Sequence, residues 1–286
     1  MKNHLGKVPI DKVRIMGIIN VSPESFYKNS IKVSSKEIAK TASKIERDGA
    51  DFIDIGAMST APYLKTMISH EKEIERIKIA LRAVSDVCDL PISVDTPRSV
   101  TADVALNHGA TIVNDVTGLK YDPEMASTVY NNNASVIICA YENYTVSGDL
   151  IKATIGALRK SMKIANNADI KSNKIVIDPS IGFFRKKSNH PFFTKINGVD
   201  WFDRDLTLIN NLKQLQVLRK PTCISISRKS FIGKILELEN PDDRLIGSVT
   251  AEAISVLNGI NVIRTHNVYE TIHAVRIAES LLKYSC

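Results

Sequence analysis

Short apolar segments alternate with helix-forming segments along the whole chain, and this alternation limits the possible folds more than any other feature. Each short segment is almost continuously apolar, as in parallel strands that are covered on both faces. Strands that alternate with helices predict an α/β fold built on a parallel sheet. The predicted strands are Arg14–Ile19, Phe52–Ile55, Ile92–Val94, Ile112–Val116, Ser135–Cys139, Ile175–Ile177, Thr222–Ile226 and Val262–Arg264.

The intervening segments have the local signals of helix ends. Ser34 and Glu37 have the spacing of a capping box ahead of one apolar stripe. Three glycines, Gly49, Gly109 and Gly259, each follow a predicted helix and precede a predicted strand. Glycine ends a helix there because it adopts the left-handed conformation without a Cβ penalty.

The length and the number of units predict a closed barrel. A chain of 286 residues suits one (β/α)8 TIM barrel, with neither a spare domain nor an obvious linker. We therefore expect residues 1–286 to form a single domain. An open doubly wound sheet is the alternative, but no G-x-G-x-x-G motif follows the first strand, which disfavours a dinucleotide-binding domain.

The net charge of the chain limits the kinds of molecule that it is expected to bind. The formal net charge is +7, which suits either nucleic acid or a phosphorylated small molecule. Arginines do not alternate with aromatic residues in a stripe, so we expect small-molecule substrates and no nucleic acid.

The four cysteines are scattered without a C-x-x-C pair, which disfavours a zinc or redox motif and fits a reducing compartment. No run approaches the roughly 18 apolar residues of a membrane span. These features predict a cytoplasmic protein that does not bind membranes.

Polar side chains follow seven of the eight predicted strands, where TIM barrels carry their active sites. Taken singly, each is more simply a helix cap, a turn residue or a solvated charge. Taken together, the set favours a functional site, because chance capping would not favour amides, carboxylates and cations at one rim. The residues are Asn20, Thr60, Asp95, Asn114, Asp178, Ser227, Lys229, Arg264 and His266.

These residue types suit a polar heterocycle and a polyphosphate. Asp95 and Asp178 can accept hydrogen bonds from an amidine-like ring edge, and Asn114 can both donate and accept. Asn20 can offer a neutral oxygen to Mg²⁺ beside phosphate oxygens. The cations available for a phosphate or a leaving group are Lys229, Arg264 and His266.

At these positions the chain resembles the dihydropteroate synthases, pterin-binding TIM barrels. The resemblance extends from residue 16 to residue 266 and is carried by several motifs in order: Asn20-Val21-Ser22-Pro23-Glu24-Ser25-Phe26, Gly49-Ala50-Asp51-Phe52-Ile53-Asp54-Ile55-Gly56, Ser93-Val94-Asp95-Thr96, Val113-Asn114-Asp115-Val116, Asp178-Pro179-Ser180-Ile181-Gly182-Phe183 and Ser227-Arg228-Lys229-Ser230. It implies that 6-hydroxymethyl-7,8-dihydropterin diphosphate loses pyrophosphate while an arylamine such as 4-aminobenzoate attacks the methylene carbon. It also implies a homodimer, formed through helices near the C-terminus.

The resemblance implies a role for each matching residue. The pterin would be bound by Asp95, Asn114, Asp178 and Lys229. Pyrophosphate would be bound by Asn20, Arg264 and His266, with Mg²⁺ on Asn20. The arylamine would lie near Thr60, Phe183 and Ser227. The residues expected to take part in catalysis are Asp95, Lys229, Arg264 and His266.

The chain departs from the family in the loops that handle the second substrate. Ala61 stands where the second loop of the family has an arginine, and Ala57-Met58 replaces a common Gly-Glu. The first loop carries Lys28, and the loop after the sixth strand reads Gly182-Phe183-Phe184-Arg185. Lys65 and Lys186 make this side still more basic. One interpretation is that the true arylamine carries its own phosphate, as in the route to methanopterin-type cofactors. The alternatives are that Lys28 or Lys65 replaces the lost arginine, or that these residues are solvated surface charges.

Two other functions remain open. A pterin-dependent methyltransferase shares the barrel and the pterin pocket, but the set Ser227-Arg228-Lys229-Ser230 with Arg264-Thr265-His266 disfavours it. A non-catalytic pterin-binding protein is suggested by the alanine at residue 61, and disfavoured by the retention of Asn20 and the cations.

Overall fold

The eight predicted strands form one parallel sheet in the computed structural model, which describes residues 2–23, 34–62 and 66–284. Each predicted strand overlaps an observed one. Neighbouring strands in the sheet follow one another along the chain, and the eighth strand pairs with the first. In chain order the strands are Arg14–Asn20, Phe52–Gly56, Ile92–Asp95, Ile112–Asp115, Ser135–Cys139, Ile175–Asp178, Cys223–Ile224 and Val262–Thr265.

The sheet closes into a barrel between its sixth and seventh strands. A parallel bridge joins Ile177 to Thr222, and the amide of Ile177 donates to the carbonyl of Pro221 at 3.0 Å. The prediction of a TIM barrel is therefore confirmed, and the open-sheet alternative is wrong.

Helices cover the outside of the barrel and bury its apolar outward face. They are α1 (Ser35–Arg47), α2 (His70–Ser85), α3 (Ser99–Asn107), α4 (Met125–Asn131), α5 (Leu150–Asn167), α6 (Trp201–Asn210), α7 (Ser230–Leu236), α8 (Leu245–Leu257) and α9 (Val268–Leu282). The predicted capping box of α1 is present, since Ser34 accepts from the amide of Glu37 and Glu37 accepts in return. The three helix-ending glycines have φ angles between 87° and 102°, as expected.

Residues that alternate along each strand face the barrel interior, and their polarity changes from one end to the other. At the N-terminal end the inward residues are apolar, and they pack with Leu5 of a hairpin formed by His4–Leu5 and Val8–Pro9, which closes the bottom of the barrel. Two residues further along, five of these inward positions are polar: Asp54, Asn114, Asp178, Ser225 and Arg264. This layer of polar side chains is what the barrel presents to a ligand. The apolar layer consists of Met16, Phe52, Ile112, Ile137, Val176, Cys223 and Val262.

Two local features differ from the sequence prediction. The seventh strand was expected over Thr222–Ile226 but is regular only over Cys223–Ile224, because the chain turns there toward α7 and the amide of Lys229 donates to the carbonyl of Ile226. A short parallel pair, Phe184–Arg185 with Thr194–Lys195, was not predicted; it lies in the loop between the sixth strand and α6. Among the helices that the structure describes, none combines the length and apolar character needed to cross a membrane.

Candidate active site

All ten residues proposed from the sequence line one cavity at the C-terminal end of the barrel. Residues separated by up to 246 positions in sequence meet here because parallel strands end at the same rim. The roles assigned to them remain predictions. They are Asn20, Thr60, Asp95, Asn114, Asp178, Phe183, Ser227, Lys229, Arg264 and His266.

Strand register places the first members of this set in one row. Asn20 is level with Gly56 of the second strand, Gly56 with Asp95 of the third, and Asp95 with Asn114 of the fourth. A Cβ atom at Gly56 would lie 3.4 Å from Asn20 Oδ1 and 3.7 Å from Asp95 Oδ2. Gly56 thus lies next to both the amide oxygen of Asn20 and the carboxylate of Asp95.

Arg264 binds two carboxylates at the floor of the cavity. Its Nε donates to Asp54 Oδ2 at 2.6 Å, and its Nη2 donates to Asp95 Oδ2 at 2.8 Å. Burial opposes the charge, but Asp54 and Asp95 outweigh this effect and hold the pKa of Arg264 above its usual range. Burial raises the pKa of Asp95 to about 7, although Arg264 opposes the rise. The protonation of Asp95 is therefore set close to neutral pH in the absence of a ligand.

Asp54 is a residue of the site that the sequence analysis did not single out. Its side chain is fully buried, and besides Arg264 it accepts a hydrogen bond from Asn114 Nδ2 at 3.3 Å. It orients both of these residues from below the cavity. The available signal was its position two residues after the inward-facing Phe52.

The neighbouring Asp115 has a different function from Asn114. Its carboxylate accepts from the amides of Thr117 and Leu119 at 2.8 and 2.7 Å, and it lies outside the cavity. It therefore stabilises the turn after the fourth strand.

Asp178 and Lys229 both line the cavity, and their charges interact. Asp178 accepts from the amide of Ser180 at 2.6 Å, and burial raises the pKa of Asp178 while Lys229 opposes this rise. Lys229 donates to the carbonyl of Ile181, and its Nζ lies 4.9 Å from the centroid of the Phe183 ring. Burial lowers the pKa of Lys229 to about 8, and the Asp178 carboxylate opposes this effect and so favours the charged amine. The pair can present an acceptor and a donor to a buried heterocycle.

His266 does not carry the positive charge expected from the sequence. Burial, together with the charges of Arg264 and Arg228, lowers the pKa of His266 to about 3, so the ring is neutral. Its Nδ1 lies 3.1 Å from Ser227 Oγ, and that oxygen also accepts from the His266 backbone amide at 3.3 Å. The Ser227 hydroxyl can donate a hydrogen bond to Nδ1, in which case the proton of the neutral ring is on Nε2, where it can be donated to an anion.

The loop after the second strand is tied to the loop after the sixth by His190, which the sequence analysis did not identify. The amide of Phe192 donates to His190 Nδ1 at 3.2 Å, so Nε2 carries the proton and donates to the carbonyl of Ala61 at 2.9 Å. Ser188 Oγ also donates to the carbonyl of Pro62 at 2.7 Å. Burial lowers the pKa of His190 and keeps this bridge neutral. The second loop, at Ala61 and Pro62, is thus attached to the loop after the sixth strand.

Some residues that the sequence analysis discussed lie outside the part of the chain that the structure describes. This applies to the first-loop motif beyond Pro23, including Lys28, and to Lys65 in the second loop. Among residues 2–23, 34–62 and 66–284, no group of three or more His, Cys, Asp or Glu side chains could hold a metal ion. A cation held mainly by phosphate oxygens fits this site better than a metal bound by the protein alone, since Mg²⁺ usually binds one or two protein oxygens beside substrate phosphates.

Comparison with known proteins agrees with the fold and identifies the family. Residues 16–266 match the model of the family described as pterin binding enzyme, so the chain belongs to that family. Among curated relatives, the dihydropteroate synthase of Bacillus subtilis is 30% identical over 272 residues, covering 95% of this chain and 90% of the relative. That of Synechocystis is 30% identical over 274 residues, covering 93% and 89%.

Solved structures extend this likeness to ligand complexes. The dihydropteroate synthase of Coxiella burnetii in complex with pteroic acid has a TM-score of 0.83 at 29% identity, covering 96% of this chain and 95% of that one. That of Xanthomonas albilineans with 4-aminobenzoic acid has a TM-score of 0.85 at 25% identity, covering 99% of both chains.

Proposed function

We propose that this protein is a dihydropteroate synthase, which joins 6-hydroxymethyl-7,8-dihydropterin diphosphate to 4-aminobenzoate and releases pyrophosphate. The observation that carries the proposal is the convergence of all ten predicted side chains on one cavity of a pterin-family barrel. Dihydropteroate synthase relatives that match nearly the full length support the reaction type.

The pterin is proposed to lie deep in the cavity, against Asp95, Asn114, Asp178 and Lys229. The carboxylates would accept hydrogen bonds from the amino and ring N–H groups of the pterin. Because these acceptors are buried, a ligand that satisfies them is favoured over one that leaves them unpaired.

The diphosphate is proposed to bind beside Asn20, Arg264 and His266. The neutral Nε2–H of His266 and the guanidinium of Arg264 would donate to phosphate oxygens. Asn20 Oδ1 would contribute one protein oxygen to a Mg²⁺ ion that also binds the diphosphate. Such an ion neutralises charge on the leaving group.

The arylamine is proposed to lie between Thr60, Phe183 and Ser227. In the reaction the bond between the pterin methylene carbon and the diphosphate oxygen breaks, and a bond from the arylamine nitrogen to that carbon forms. The nitrogen then loses a proton. Arg264 and His266 stabilise the departing anion, and Asp95 stabilises positive charge left on the pterin. An arylamine is already nucleophilic, so the site needs no strong general base.

We further propose that the protein acts as a homodimer in the cytoplasm. Apolar side chains remain exposed on the C-terminal helices, and Cys88, Cys139 and Cys223 are unpaired and buried in the described structure. Reduced cysteines fit a reducing compartment.

A substrate panel tests the proposed function. Purified protein is incubated with the pterin diphosphate and either 4-aminobenzoate or a phosphoribosylated arylamine, with Mg²⁺ or with EDTA, while pyrophosphate release and the pterin product are measured. We expect dihydropteroate from 4-aminobenzoate, and loss of turnover with EDTA that added Mg²⁺ restores. Turnover of the phosphoribosylated arylamine alone would assign the methanopterin-type reaction instead. Pterin binding without pyrophosphate release would indicate a non-catalytic pterin-binding protein.

A further inference from the structure

Arg185 points toward the same side of its strand as Phe183, which lines the cavity. Alternate residues of an extended segment face the same side, and the intervening Phe184 packs on the opposite side, where its ring lies 3.7 Å from the guanidinium carbon of Arg204. Arg185 is itself a cavity-lining residue, with only 9% of its surface exposed. A cation is therefore built into the cavity wall beside the proposed arylamine site.

Three contacts fix the orientation of this guanidinium. Its Nε donates to the carbonyl of Gly182 at 3.0 Å, and its Nη2 donates to Ser230 Oγ at 3.0 Å. Its carbon lies 3.7 Å from the centroid of the Trp201 ring, a cation–π contact. An arginine held in place in this way loses little side-chain entropy when it binds an anion.

The proposed function assigns the other cations of the cavity, Arg264 and Lys229, to the pterin diphosphate. Arg264 donates to Asp54 and Asp95 at the floor, and Lys229 donates to the carbonyl of Ile181. Within the described residues of the second loop, Ala61 stands where the sequence resemblance implies an arginine. An anionic group on the second substrate would thus meet Arg185 at the wall that also carries Phe183.

We infer that Arg185 is a specificity-determining residue, which binds the anionic substituent of the arylamine. The inference rests on the proposed function. A planar guanidinium can bind a carboxylate through two parallel hydrogen bonds, so the site selects an arylamine with a para-carboxylate over an uncharged one.

The test compares 4-aminobenzoate with 4-aminobenzamide, which has nearly the same shape but no charge. Equilibrium binding of each is measured with 6-hydroxymethyl-7,8-dihydropterin and pyrophosphate present, in the wild type and in Arg185→Gln, Arg185→Lys and Arg159→Gln. Arg159 is an exposed arginine on α5 and serves as the matched control. Hydrogen bonds to charged groups predict about a 10- to 100-fold loss of 4-aminobenzoate affinity in Arg185→Gln. Affinity for 4-aminobenzamide is expected to change less than about threefold, and Arg185→Lys to recover part of the preference.

The ratio of the two affinities within one variant is insensitive to a fraction of misfolded protein. An unchanged ratio in Arg185→Gln would overturn the assignment. If that variant does not fold, the wild type decides, because equal affinity for the two arylamines also overturns it. Binding is measured separately from turnover, so a protein that prefers the carboxylate but forms no product would contradict the proposed function and leave the role of Arg185 supported.

Discussion

At the scale of single residues, the site depends on charges that are kept close to one another in a buried setting. Arg264 lies between Asp54 and Asp95, and the three side chains are held by hydrogen bonds of 2.6 and 2.8 Å. A guanidinium shared by two carboxylates fixes the position of both acceptors before the pterin arrives. Asp54 contributes by accepting hydrogen bonds from both Arg264 and Asn114.

The raised pKa of Asp95 predicts a pH dependence of pterin binding. Its folded-state pKa of about 7 lies above the ordinary carboxyl value, so the accepting, ionised form dominates only above that pH. Affinity for 6-hydroxymethylpterin is therefore expected to rise about tenfold between pH 6 and pH 8 and then to level off. Fluorescence titrations across this range measure the effect. The isosteric Asp95→Asn variant, which cannot ionise, should show a flat profile, and an equal slope in both proteins would exclude Asp95 as the cause.

At the scale of elements, the turn after the sixth strand is strained where it positions the pocket. Ser180 has a φ of 59°, and its Oγ is buried with no hydrogen-bond partner among the described residues. The turn is nevertheless retained, because Asp178 accepts from the Ser180 amide and Arg204 Nη1 donates to the Ser180 carbonyl at 3.0 Å. Such outliers are frequent at functional sites.

Replacing Ser180 with glycine should stabilise the protein. Glycine adopts the left-handed conformation without a Cβ penalty and removes the buried hydroxyl, so Ser180→Gly is expected to raise the free energy of unfolding by about 1 kcal/mol. Denaturant unfolding monitored by circular dichroism measures this change. Ser127→Gly on α4, a helical position, should instead destabilise by about 1 kcal/mol. A loss of stability in Ser180→Gly would show that the turn is not strained.

The sequence predicted the elements well and their ends less well. Apolar runs and helix-ending glycines are local signals, so all eight strands and the cap of α1 were identified. The early end of the seventh strand, the bridge from His190 to Ala61 and the neutral state of His266 depend on contacts between distant segments and on burial, which local sequence does not encode. Asn20, Asp95 and Arg264 could be located because a parallel barrel brings all strand ends to one rim.

At the scale of the whole molecule, two helices near the C-terminus carry exposed apolar side chains, which supports the proposed homodimer. Ile246 of α8 is 76% exposed and Ile277 of α9 is 67% exposed. Large apolar side chains exposed on adjacent helices are typical of surfaces that bind another protein. Their position near the C-terminus is that of the expected homodimer interface.

Light scattering coupled to size exclusion tests this arrangement. We expect a dimer for the wild type and a monomer for Ile277→Glu, because a charge in the buried centre of an interface would lose its hydration. Val100→Glu, at an exposed apolar position on α3, is the control and should remain dimeric. A monomeric wild type would refute the homodimer.

The proposed function as a whole requires that the cavity at the C-terminal rim of the barrel binds the pterin. Calorimetric titration of 6-hydroxymethyl-7,8-dihydropterin diphosphate measures this binding in the wild type, in Asp178→Ala, and in Asp203→Ala as an exposed control on α6. Removing a buried acceptor leaves the pterin donors unpaired, so Asp178→Ala should weaken binding by about 10-fold or more, while Asp203→Ala binds like the wild type. Equal affinity in wild type and a folded Asp178→Ala would contradict the claim.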